Sequence, residues 1–132
     1  MSQNSIPAEA IKSLVEEKGM LAKQLYLVHT TPTGDLEAVL KVVEEHLDYQ
    51  VKLEAEGIMF AAGPNWTEDE KEWRGDGTVV IRAASMDDAR KIMDADPMHS
   101  KGARRYTIKP WLVNEGKVTI ELSYSTGKFK LR

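Results

Sequence analysis

Between residues 24 and 113 the apolar residues recur at every second position, then every third or fourth, then back, in the order β-α-β-β-α-β. Few folds accept that order. It predicts the split-βαβ, ferredoxin-like arrangement of the α+β class, a four-stranded antiparallel sheet with both helices on one face. Gln24 to Thr30 alternates, with Leu25, Leu27 and His29 on one side and Tyr26, Val28 and Thr30 on the other. Asp35 is placed to cap a long helix running to about Glu56, whose arc of Val39, Leu40, Val43, Leu47 and Leu53 opposes Glu37, Glu44 and Lys52. Gly57 stops it, and Ile58 to Ala62 is a short strand closed by Gly63-Pro64. Gly77 to Ala84 is the third strand, Ser85 opens a helix through Met93, and Asp96-Pro97 ends that unit. In the last core strand, Arg104 to Val113, Tyr106, Ile108 and Leu112 face away from Arg105, Lys109 and Trp111.

Outside this core, Pro7 opens an amphipathic helix over 7–18, and Val118 to Tyr124 alternates as a strand turning back toward Phe129 and Leu131. The reading is one domain over 1–132, with its core at about 24–113 and a C-terminal extension, 114–132, that adds a strand to a sheet edge or to a partner subunit. One sheet face is left without helices. A second copy packed against it, as a homodimer or higher homo-oligomer in a barrel, would cover it.

The 132 residues, 42% apolar and 30% charged, are the composition of a globular chain, and the absence of cysteine removes disulfides, thiolate metal sites and a cysteine nucleophile. A formal charge of −3 and a third strand offering Val79, Val80, Ile81 and Arg82 argue against a nucleic-acid partner. His29, His46 and His99 show no metal-ligand spacing, and no glycine-rich loop leads from a strand into a helix; neither a metal nor a cofactor is expected. The longest apolar stretch, Ile58 to Ala62, is far below a membrane span, and Lys12, Glu16 and Lys18 break any export signal near the start. No membrane partner is expected, and the cytoplasm is the expected compartment.

Several short motifs occur in sequence order: His46-Leu47-Asp48-Tyr49, Gly57, Ala62-Gly63-Pro64, Gly77-Thr78-Val79-Val80-Ile81 with Ala84-Ser85, Asp96-Pro97-Met98, Gly102, and Ile108-Lys109-Pro110-Trp111. Together they resemble the YciI-like (YCII-related) family over about residues 24–113. The resemblance implies the dimeric α+β barrel fold and a small-molecule enzyme built around a His–Asp pair, carried here onto His46 and Asp96. One branch of that family is linked to dechlorination of hydroxylated aromatics, and barrel relatives include lactone isomerases. Fold and site transfer better than substrate.

Each candidate has two readings. His46 lies within the apolar arc of its helix and needs a partner for a ring nitrogen; a carboxylate there fixes the tautomer and suits proton transfer, whereas a backbone carbonyl makes the residue structural. Asp-Pro is itself a helix-start pair, so Asp96 caps a turn, orients His46, or does both. Arg105, Lys109 and Trp111, with His29 and Tyr49, form the candidate substrate-binding set. A cation among them would hold a phenolate, enolate or carboxylate oxygen, and Trp111 would stack on a ring; equally, they are ordinary sheet residues at a dimer interface. Arg82 shares that ambiguity. Trp66 and Trp73, in an acidic loop, are either a lid or anchors. The leading expectation is a cofactor-independent lyase or isomerase for an oxygenated cyclic or aromatic compound. The alternative is a non-enzymatic metabolite-binding or accessory subunit using the same cleft.

Overall fold

The computed structural model describes residues 4–132 and divides into two compact units, residues 24–112 and the pair of flanking segments. The larger unit holds β1 (Lys23–Pro32), α2 (Leu36–Ala55), β2 (Met59–Pro64), β3 (Gly77–Ile81), α3 (Met86–Asp94), α4 (Pro97–Ser100) and β4 (Arg104–Val113). The strands form one sheet in the order β2-β3-β1-β4. β1 and β3 run antiparallel in the centre with Val28 opposite Val79, and β2 runs antiparallel to β3. This is the ferredoxin-like order that the alternating periods predict.

One face of the central strands carries Tyr26, Val28, Val79 and Ile81, which bury against Leu53 of α2 and Ala89 and Met93 of α3. Tyr106 and Ile108 of β4 pack on the same cluster, so the parity read for that strand holds: Arg105, Lys109 and Trp111 are exposed. A second cluster joins Val39 and Val42 of α2 to Met98 and Ala103. It exists because α4, a single turn, folds back on the first half of α2. Pro97 opens that turn, and the Asp96 carboxylate accepts from the Met98 N–H at 2.8 Å.

Several local expectations shift. β1 runs through Pro32, and β2 runs through Gly63 and Pro64, which pair with Thr78 and Gly77 rather than closing the strand. Ser85 caps α3, its hydroxyl accepting from the Asp88 N–H at 3.1 Å. Asp35 stands at the N-cap of α2 but its carboxylate caps nothing. Gly57 ends α2 in the left-handed region, φ +75°, letting the Ile58 N–H reach back to the Leu53 carbonyl at 2.8 Å.

The flanking unit contains α1 (Ala8–Glu17), β5 (Ile120–Leu122) and β6 (Phe129–Leu131). The Leu21 N–H donates to the Asn114 carbonyl at 3.3 Å and ties the two flanks together. β5 and β6 pair only with each other, as a separate two-stranded sheet. The strand expected over Val118 to Tyr124 therefore shrinks to three residues, because the turn takes in Ser123 to Lys128 through the Ser123 N–H to Lys128 O and Gly127 N–H to Ser123 O bonds. Among the described residues, the extension forms a two-stranded hairpin sheet of its own.

Candidate active site

His46 projects from α2 at one of its four buried positions, with Val39, Val42 and Leu53. The apolar arc that makes this helix amphipathic carries an imidazole inward, where it is 7% exposed. Asp96, 2% exposed, meets it from the cap of α4. The Nδ1 atom of His46 lies 2.8 Å from one carboxylate oxygen and 2.9 Å from the other. One of those oxygens also receives the Met98 N–H. Cap and orienting group are thus the same carboxylate, and the helix turn immobilises it for the histidine. With Nδ1–H donating to Asp96, the tautomer is set and Nε2 carries the lone pair. No hydrogen-bond partner occupies Nε2 among the described residues.

His46 lines a cavity of about 370 Å³, within the range that holds small ligands. Its wall is mostly apolar, with Val43 and Leu47 from α2, Val79 from β3, and Trp66 and Trp73 from the loop after β2. Trp73 packs on the Val39 cluster and its indole N–H donates to the Asp76 carbonyl at 2.8 Å, which makes it an anchor. Trp66 is exposed yet forms part of the wall.

Polar groups that the strand pattern did not single out also line the wall, Gln50, Asp76 and Thr78 among them, and two of them, Arg104 and Thr30, are buried. Arg104, only 6% exposed, enters from the start of β4, its Nε–H donating to the Gly75 carbonyl at 2.8 Å and its guanidinium 5.9 Å from the Trp73 ring centre. Burial pulls its pKa below the ordinary arginine value, against the opposing pull of Asp96 and Asp76. Thr30 of β1 bonds His99 Nε2 at 2.8 Å, while His99 Nδ1 lies 2.6 Å from the Met93 carbonyl. A carbonyl accepts, so Nδ1 carries the proton and the Thr30 hydroxyl donates to Nε2. Burial lowers the His99 pKa, more than the nearby Met93 carbonyl and Asp96 raise it.

The remaining expected residues stand elsewhere. Arg105, Lys109 and Trp111 are exposed on β4 and do not line the cavity. The Arg82 guanidinium donates to the Gly57 and Met59 carbonyls and lies over the Phe60 ring. His29 is half exposed, with Nε2 3.3 Å from the Asp76 carboxylate. The Tyr49 hydroxyl donates to the Ile92 carbonyl at 2.6 Å, locking α2 to α3. Burial, reinforced by Asp96 and Glu56, raises its pKa. The two missed groups had a signal in strand parity: Arg104 shares a side with Tyr106 and Ile108, and Thr30 shares one with Tyr26 and Val28. Among the described residues, no group of three or more His, Asp or Glu side chains is arranged to hold a metal ion.

The model of the YCII-related domain matches residues 24–112, which is the larger structural unit with the whole cavity inside it. The chain belongs to the YCII-related family. No functionally characterised protein sequence matches it. Among solved structures, this family member is similar to 5-chloro-2-hydroxyhydroquinone dehydrochlorinase (TftG) from Burkholderia phenoliruptrix AC1100, in complex with 2,5-dihydroxybenzoquinone. The TM-score is 0.55 and the identity 22%, over 66% of this chain and 92% of that one. At that identity the two share a fold.

Proposed function

We propose that this YCII-related protein is a cofactor-independent enzyme that moves a proton on a small oxygenated cyclic or aromatic compound, a lyase or an isomerase. The observation that carries the reading is the His46–Asp96 contact of 2.8 Å at the wall of an apolar cavity, with the second imidazole nitrogen free to act. Nε2 takes a proton from a ring carbon or hydroxyl of the bound compound. The electron pair left behind expels a leaving group in an elimination, or shifts along the ring and is reprotonated elsewhere by the imidazolium in an isomerisation. Asp96 positions the ring and offsets the charge that His46 gains, without itself taking the proton. That the structural relative is named for a dehydrochlorination agrees with the elimination branch.

The protein is further proposed to work as a homodimer. What supports this is apolar surface without cover, notably Ile120, Leu122, Phe129 and Leu131 on the C-terminal hairpin and Trp111 on β4.

The test is turnover of a panel of chlorinated and unchlorinated hydroquinones, catechols and lactones by the wild type, His46→Gln and Asp96→Asn. Removing the base should lower turnover by roughly 10²–10⁴-fold with melting temperature and oligomeric state little changed. Turnover that survives in His46→Gln contradicts the mechanism. Tight binding without conversion of any panel member, by wild type and variants alike, would instead favour a metabolite-binding subunit.

A further inference from the structure

Arg104 is buried, charged and short of partners. A guanidinium has five N–H groups to satisfy. The Nε–H goes to the Gly75 carbonyl, and among the described residues the terminal amines have no hydrogen-bond partner. Among the described residues, no carboxylate lies within ion-pair reach of it. Of the two acids near enough to influence it, Asp96 is engaged by His46 and Met98, and Asp76, which also lines the cavity, has one carboxylate oxygen 3.3 Å from His29 Nε2. The side chain lines the same cavity as His46.

The placement is built rather than incidental. Gly75 presents its carbonyl from a left-handed backbone, φ +87°, and a Cβ there would come within 2.8 Å of Pro32 and 2.9 Å of Leu36. The position accepts no larger residue without displacing its neighbours, so glycine is required where the chain presents this carbonyl to the guanidinium. The Trp73 ring supports the guanidinium from the side. The terminal amines are not among the buried side-chain atoms that lack a partner, so water can meet them, and a bound anion would replace that water with a charge-assisted contact.

We propose that Arg104 is the anion anchor of the cavity, and that the compound it admits carries an ionised oxygen (phenolate, enolate or carboxylate) bound by the terminal amines of this guanidinium. This rests on the cavity being a substrate site and narrows the substrate class to anions. It also assigns to Arg104 the role for which strand pattern offered Arg105 and Lys109. Among the described residues, no other lysine or arginine lines the cavity.

The experiment compares two probes of nearly equal shape, 4-hydroxybenzoate and 4-hydroxybenzamide, by calorimetric titration into the full-length wild type, Arg104→Gln, Arg104→Lys and His46→Gln. A charge-assisted contact in an apolar pocket should make the wild type bind the acid about tenfold or more tightly than the amide. Arg104→Gln should equalise the two probes, and Arg104→Lys, which keeps the charge and loses the fork, should retain part of the preference. His46→Gln should keep the full preference, so that a failure of the dyad chemistry and a failure of the anchor are read separately. A wild type that binds neither probe or does not prefer the acid overturns the assignment. So does a full preference in Arg104→Gln or, where that variant does not fold, a complete absence of preference in Arg104→Lys.

Discussion

Two histidines of the larger unit are held alike at one ring nitrogen and differ at the other. Both donate through Nδ1, His46 to the Asp96 carboxylate and His99 to the Met93 carbonyl. Both are removed from most of the solvent. They differ at the other nitrogen: His99 Nε2 is filled by the Thr30 hydroxyl, whereas His46 Nε2 has no hydrogen-bond partner among the described residues, on a side chain that lines the cavity. They differ also in the partner at Nδ1. A carboxylate balances the charge of an imidazolium and a backbone carbonyl only orients the ring. Burial lowers the His99 pKa.

The sharpest way to break this contrast is to delete each ring in turn. His46→Gln should remove turnover by orders of magnitude, as above, with little change in stability. His99→Phe keeps a ring against Tyr106, whose centre is 4.8 Å away, but strands the Thr30 hydroxyl and the Met93 carbonyl. It should destabilise the protein by about 1–3 kcal/mol in chemical denaturation and leave turnover within roughly tenfold. Equal loss of turnover in both variants would erase the distinction.

A pH series sharpens it further. The folded His99 pKa lies below its ordinary value of 6.5, so the unfolded chain binds the proton first as pH falls. The stability contributed by His99 is complete above about pH 6.5 and is lost as pH drops from there through the folded pKa. Urea midpoints should therefore fall in the wild type below about pH 6.5 and fall less in His99→Phe. A parallel fall in the two proteins would assign the effect to another group. The smallest effect is expected at Tyr49, on the same helix as His46 but bonded to the Ile92 carbonyl. Tyr49→Phe should cost about 0.5–1.5 kcal/mol and leave turnover unchanged, and a large loss of turnover would place Tyr49 in the substrate set after all.

The order of strands and helices was legible because each element carries its own period, and His46 because its position in the apolar arc forced a polar group inward. Asp96 was legible as a cap from the Asp-Pro pair, and its second role came from the family motif. What the residues alone concealed depends on contacts across long separations. Thr30 meets His99 across 69 positions, and Arg104 finds Gly75 in a loop without periodicity. The choice between Arg104 and Arg105 is a choice of strand face, and a single-residue difference in parity reverses it. The hairpin turn of the extension drew in residues that alternate as well as any strand, since alternation does not mark where a turn ends.

If His46 Nε2 is the atom that meets the bound compound, nitrogen-15 NMR of the histidine rings, above their ordinary titration range, will show it. Both His46 and His99 should show the Nδ1–H tautomer, and addition of 4-hydroxybenzoate should shift His46 Nε2 and leave His99 Nε2 unmoved. An Nε2–H tautomer at His46, or a ligand response at His99 and none at His46, would contradict that role for His46.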